Sequence, residues 1–156
     1  MWVPVLETLT VDEIGVSATV LEPAQWIQQF SGVAFERAVI KRVVGVLTFN
    51  QLTSATAGNM LRWIWYIQDS DVPTAPNPEV VADLAETKIL QMGARTIQAT
   101  ASGASAFLQY QDIDIKVPKA IDTSEILIIT GKIGTDGAAN PTVEMKFYGR
   151  VLVGRS

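Results

Sequence analysis

Apolar and polar residues alternate with a period of two along most of this chain, which is the signature of strands. The longest β-type runs are Ala38 to Phe49, AVIKRVVGVLTF, and Leu61 to Asp69, LRWIWYIQD. Both are rich in β-branched and aromatic residues, and each is apolar on more than one face. Such a strand needs cover on both sides. In the earlier run Val39, Val43, Leu47 and Phe49 form one row and Ile40, Val44 and Val46 the other. One row is expected to fill an interior, the other to meet a connecting helix or a neighbouring subunit. In the later run Leu61, Trp63, Trp65 and Ile67 share a core face, with Arg62, Ile64, Tyr66 and Gln68 opposite.

The remaining segments extend the same pattern. Val3 to Val11 and Val16 to Glu22 read as strands around Asp12-Glu13-Ile14-Gly15, with Gly15 supplying the turn. EPAQWIQQFSG reads as a short helix, with Pro23 at its first position and Gly32 closing it. Asn50 to Asn59 is a small-residue loop, and Ser70 to Asn77 is a proline-rich extended connector. There Asn77 is placed to cap a helix from Pro78 to about Glu86, which would turn Val80, Val81 and Leu84 towards a sheet. Lys88 to Thr100 has strand-like content, and Phe107 to Val117 alternates cleanly. Its Ile113, Ile115 and Val117 oppose Asp112, Asp114 and Lys116. Glu125 to Ile133 is apolar on both faces, GTDGAANP reads as a hairpin loop, and Thr142 to Val153 closes the series. In that last strand Val143, Met145, Phe147, Val151 and Val153 are expected inward, and Glu144, Lys146, Tyr148 and Arg150 outward. Eight strands with helices confined to connections predict an all-β fold: an eight-stranded antiparallel jelly-roll sandwich with one or two short helices in connections, forming a single domain over residues 1–156.

Composition narrows the function. At 156 residues the chain can bury a core without staples, and it contains no Cys and no His. Thiolate nucleophiles, imidazole bases and the usual zinc and copper ligands are therefore excluded. Charged residues are 18% of the chain, and the mean hydropathy is +0.24. That balance suits a protein that hides surface against other copies of itself. No stretch approaches the ~18 apolar residues of a membrane span, and MWVPVLETLT lacks the basic and apolar regions of a signal peptide, so the N-terminus reads as part of the fold. The net charge is −4, but it is unevenly spread. Residues 1–36 carry acids alone; Arg37, Lys41, Arg42 and Arg62 follow without an acid among them; acids then return from Asp69 to Glu86. Either this is a small-sample accident or oppositely charged segments meet across a subunit interface.

Candidate chemistry is sparse. The pairs Asp69/Asp71 and Asp112/Asp114 offer oxygen ligands, yet calcium takes six to eight, so solvated acids are the simpler reading. Gly131 to Gly137 lacks the phosphate-loop arrangement, and no serine has an imidazole to activate it. No catalytic residue, metal or cofactor is assigned, and the chain reads as a non-enzyme. Two binding readings stand beside plainer ones, core aromatics beneath a helix for Trp63 and Trp65 and a strand end near solvent for Lys41 and Arg42. Trp63, Trp65 and Tyr66 could form a ligand platform in a carbohydrate- or receptor-binding β-sandwich from a phage or secreted protein. Arg37, Lys41 and Arg42 could touch nucleic acid, with Lys41 and Arg42 pointing to opposite faces as strand neighbours do.

The order of features resembles a known group. The start MWVPVLETLT, the connector EPAQWIQQFSG, the basic-leading strand ERAVIKRVVGVLTF, the aromatic strand RWIWYIQDSD, the proline-rich acidic connector and the closing VEMKFYGRVLVGR are similar to single-jelly-roll capsid proteins of small icosahedral viruses, most like those of small circular-DNA viruses. The resemblance spans nearly the whole chain as a pattern. It implies a structural subunit that self-assembles in many copies into a virion shell. That family commonly has a basic N-terminal arm, whereas residues 1–36 here carry only acids, which puts contact with packaged nucleic acid in question.

Overall fold

The computed structural model describes residues 2–21, 38–51, 60–69, 74–97, 108–117, 125–134 and 141–155. Its strands are β1 (Trp2–Val11), β2 (Ser17–Leu21), β3 (Ala38–Gln51), β4 (Met60–Asp69), β5 (Ile89–Thr96), β6 (Leu108–Lys116), β7 (Glu125–Ile133) and β8 (Val143–Arg155). One rule generates the pairing: β1 runs antiparallel to β8, β2 to β7, β3 to β6 and β4 to β5. The chain is a long hairpin whose paired arms have been rolled up. Two further antiparallel pairs, β3 with β8 and β4 with β7, close the roll. The product is a front sheet of order β1-β8-β3-β6 and a back sheet of order β2-β7-β4-β5, the jelly roll that the alternation predicts.

Rolling overrides two local readings. GTDGAANP does not close a hairpin, because β7 lies in the back sheet and β8 in the front sheet. Between β1 and β2 the turn is made by Asp12, whose Oδ1 accepts the backbone N–H of Ile14 (2.8 Å) and of Gly15 (3.3 Å). Gly15 has no left-handed φ, and a Cβ added there would meet nothing within 4 Å, so that turn does not depend on its glycine.

The inner faces of the sheets meet around Trp65 and Phe147, which are 0% and 1% exposed and form an edge-to-face pair with centroids 5.1 Å apart. The Phe147 ring has room because Gly45 and Gly149 face each other across β3 and β8. A Cβ on Gly45 would lie 2.7 Å from the Gly149 Cα and 2.8 Å from the Phe147 ring. Trp63 repeats the device: its ring lies over Gly93, its ladder partner on β5. Its partner on β7, Gly131, leaves space for Val11 and Met145 of the opposite sheet. Glycine in a strand interior weakens the strand. Here aromatic rings fill the positions that the missing side chains leave open.

Polar side chains bridge the two sheets at their lateral edges. On one side the Thr19 hydroxyl donates to Glu7 across 3.1 Å. On the other, Arg95 of β5 reaches β6, donating to Gln109 Oε1 (3.1 Å), the Tyr110 carbonyl (2.7 Å) and Gln111 Oε1 (3.0 Å) while its guanidinium lies 5.5 Å from the Phe49 ring centre.

The connector between β4 and β5 covers the outer face of the back sheet, as expected, but not as a regular helix. Asn77 does cap a turn, accepting the Glu79 N–H at 2.9 Å, yet the chain then makes two separate 3₁₀ turns, Val81–Asp83 and Glu86–Lys88. Leu84 and Ala85 between them are extended. Val81 and Leu84 pack on Ile64, Tyr66 and Ile128, whereas Val80 is 44% exposed. Three side chains pin the segment: Gln68 donates to the Thr74 carbonyl at 2.7 Å, Lys132 pairs with Glu79 at 2.9 Å, and Lys88 pairs with Asp69 at 3.5 Å. A flat covering segment meets a sheet along its whole length, where a helix would touch it along one stripe. The short helix expected over EPAQWIQQFSG lies outside the described residues.

Replacing Gly45 by Ala is expected to cost about 1–3 kcal/mol, the usual range for overpacking. Gly15→Ala should stay within about 0.5 kcal/mol, as an unconstrained surface change. Urea unfolding midpoints of the two variants against the parent check both.

Candidate functional site

The two outer faces of the sandwich differ. The back one carries its own lid, and no described residue crosses the front one. Antiparallel register arranges the front face in rows across β1, β8, β3 and β6: Trp2, Leu152, Arg42 and Lys116; then Pro4, Arg150, Val44 and Asp114; then Leu6, Tyr148, Val46 and Asp112; then Thr8, Lys146, Thr48 and Tyr110. Leu6 is 61% exposed, Tyr110 59%, Tyr148 46% and Trp2 40%. In the upper three rows a belt of apolar side chains on β1, β8 and β3 is interrupted by five charges: Arg150 on β8, Arg42 on β3, and Lys116, Asp114 and Asp112 on β6. Arg150 is held in this belt by the Trp2 ring, 5.4 Å from its guanidinium carbon.

A bulge decides how the basic residues sit. The register of β3 against β8 shifts between Ile40 and Arg42, leaving Lys41 as the extra residue. Ile40 consequently turns inward, fully buried, to join Val43, Leu47 and Phe49, while Val44 and Val46 remain half-buried on the outer face. The expected rows of this strand are corrected at Ile40. The same bulge corrects the expectation that Lys41 and Arg42 face opposite ways, since it keeps both out of the core: Lys41 is exposed and the Arg42 side chain is 39% accessible. Arg42 makes two hydrogen bonds to Asp114 on β6, Nε to Oδ1 at 2.7 Å and Nη2 to Oδ2 at 2.5 Å. Lys116 stands next to Arg42 by register and adds a third cation to this end of the sheet. Arg37, the remaining basic candidate, lies outside the described residues.

Trp63, Trp65 and Tyr66 are 3%, 0% and 8% exposed. Trp63 and Trp65 point between the sheets, and Tyr66 lies beneath the connector, so the three do not form one surface. A stacking platform requires an open ring face. Among the described residues the large aromatic rings that reach solvent are Trp2, Tyr110 and Tyr148 on the front sheet, while the exposed Met92 lines a groove of about 620 Å³ between the connector and β5. Asp112 and Asp114 lie on one polar strand face, where Asp114 is engaged by Arg42; Asp69 pairs with Lys88, and Asp71 lies outside the described residues. Among the described residues no group of three acids gathers as a metal cage would. Trp2, Lys116 and Arg150 are not among the site residues that the sequence singles out. A signal is present for Trp2, because even-numbered Trp2, Pro4 and Leu6 make β1 apolar on its outward row as well.

No family profile and no curated protein sequence matches the chain. Among solved structures it is similar to a chain of Desmodium yellow mottle tymovirus, at 11% identity and a TM-score of 0.35, covering 98% of this chain and 92% of that one. A second similarity is to a chain in the structure of infectious bursal disease virus Gt strain, at 16% identity and a TM-score of 0.32, covering 96% of this chain and 32% of that one. At such scores the assignment of the jelly roll rests on the strand pairings of this chain itself.

The Arg42–Asp114 pair has a pH signature. Hydrogen bonding from Arg42 holds the Asp114 carboxyl below the usual aspartate range, and Asp114 holds the guanidinium above its own. A depressed carboxylate pKa stabilises the fold above the ordinary aspartate value, and that contribution is lost as pH falls through the lowered one. Asp114→Asn should therefore flatten the acid limb of the stability–pH curve, as read by denaturant unfolding from neutral to acidic pH.

Proposed function

We propose that this protein is a non-enzymatic structural subunit that self-assembles in many copies into a viral capsid shell. The observation that carries the reading is the asymmetry of the sandwich: one outer face is sealed by the chain's own connector, and the other leaves Trp2, Leu6, Tyr110 and Tyr148 in water. Leu6 and Tyr148 are ladder partners on β1 and β8, with Trp2 on the same face of β1, and exposed apolar side chains so grouped are of the kind that marks an interaction surface. The sparse charge supports the same conclusion, as does the resemblance of its strand order to single-jelly-roll capsid proteins. A closed shell lets every subunit bury the same surfaces repeatedly.

In that setting the virion is the location. The Lys41, Arg42 and Lys116 end of the front sheet is the surface that this reading assigns to packaged nucleic acid; Arg37 lies outside the described residues. Such a contact is local, because the chain as a whole carries −4. The carbohydrate- or receptor-binding alternative would need a platform other than the buried Trp63 and Trp65.

Light scattering on the purified chain, across salt and pH, tests the assembly reading. Growth into large particles of uniform size is the expected outcome. A monodisperse monomer at high concentration under every condition would overturn it.

A further inference from the structure

We infer that the groove between the connector and β5 binds an extended peptide segment of a partner protein, one that carries an acidic, an apolar and a basic side chain at alternate positions. The site lies on the back sheet, away from the exposed side chains of the front one, so the inference stands independently of self-assembly.

The connector stops short of the sheet's edge. Val81 and Leu84 pack on Ile64, Tyr66 and Ile128, but β5, the edge strand beside them, leaves Met92 53% exposed. The groove of about 620 Å³ along this strand adjoins a second hollow of about 380 Å³, and Val81, Ala82 and Met92 line both. A volume of this order is usual for a ligand site, ~300–1,000 Å³. The shared floor and wall are apolar, and the charges stand towards the ends: Arg62 lines the first hollow and Glu86 the second.

Both charges lack a partner. Arg62 is exposed, and its ladder neighbours are Lys132 and Ala94, neither of them acidic. Glu79, which also lines the first hollow, is engaged by Lys132 at 2.9 Å. Glu86 is exposed on the second 3₁₀ turn, where Lys88 pairs with Asp69 instead. Among the described residues neither Arg62 nor Glu86 makes a hydrogen bond or an ion pair. An apolar groove with a free cation at one end and a free carboxylate at the other is complementary to a ligand of the opposite polarity.

Register sets the length of that ligand. Arg62 stands level with Ala94, and Tyr66 level with Ile89 in the second hollow, so the groove spans four residues of β4, about 14 Å. In an extended chain the side chains at i, i+2 and i+4 point the same way over the same distance. A segment laid along β5 therefore sets a carboxylate at Arg62, an apolar side chain on Met92 and a cation at Glu86. A fatty acid would satisfy Arg62 alone and bring its tail against Glu86, which selects against it.

Methionine methyl NMR on the full chain tests this. The chain has four methionines, among which Met92 reports the groove and the fully buried Met145 reports the core. The probes are end-blocked Glu-Thr-Leu-Thr-Lys and Lys-Thr-Leu-Thr-Glu, which cover both chain directions, with Gln-Thr-Leu-Thr-Gln as the neutral control. At least one charged peptide should shift Met92 saturably, leave Met145 in place and bind about tenfold tighter than the control. Arg62→Gln and Glu86→Gln should each weaken that binding by about three- to fivefold, the scale of one exposed ion pair, with an unmoved Met145 signal showing an intact core. A Met92 signal unmoved by either charged peptide at millimolar concentration would overturn the inference, as would a control that binds equally well or undiminished affinity in R62Q. Laurate that saturates Met92 more tightly than either peptide would replace the peptide by an amphiphile. Light scattering reads self-assembly separately, so either reading can fail without the other.

Discussion

The sandwich depends on one steric arrangement: large aromatic rings placed where neighbouring strands carry glycine. Phe147 occupies the space above the Gly45–Gly149 pair and meets Trp65 edge-on, joining the two sheets at their centre. Trp63 does the same above Gly93 nearer the β5–β6 seam, where Phe49 adds a ring 4.8 Å away. Each element is costly alone. Glycine gives a strand no side chain to pack, and a tryptophan requires more volume than a uniform pleat provides. Together they interlock, and a side chain added at these glycines collides with backbone or ring atoms that cannot easily move. The polar bridges at the lateral edges are secondary, since they close a sandwich whose spacing the rings have already set.

Core filling also explains why the aromatic strand β4 offers no obvious ligand site. Its inward Trp63, Trp65, Leu61 and Ile67 are consumed by the interior, and its outward Ile64 and Tyr66 by the connector. Cover from both sides is what a two-sided apolar strand demands, and here the chain supplies both layers. β3 differs. Its inward row is buried to the same degree, but Val44 and Val46 on the other face have no lid among the described residues. The contrast between these two central strands is what makes the two outer faces of the sandwich unlike.

Much of this was legible from residue order. The alternation of β8, β6 and β4 gave their inner and outer faces, and the eight-strand count led to the jelly roll. What escaped were features set by partners distant in sequence. The bulge at Lys41 depends on the register of β3 against β8, and moving one residue out of the ladder reassigns Ile40 and brings Lys41 and Arg42 to the same side. The connector carries helix-start signals at Asn77 and Pro78, but the flat sheet beneath it and the anchors at Gln68 and Lys132 favour short turns. The Arg42–Asp114 pair joins residues 72 positions apart, which no local window contains. The front-face rows likewise exist only once four strands have been aligned.

The rolled-hairpin pairing has a consequence for the order of events during synthesis. The front sheet sets β1 beside β8 and β8 beside β3, so the first and last strands made are neighbours in the same layer. Contacts so remote in sequence form late and slowly. A nascent chain that has produced β1, β3 and β6 still lacks the strand that carries Arg150, Tyr148 and Lys146. Topology thus acts as a timing device, since the front sheet cannot close until its last strand has been made and inserted between β1 and β3.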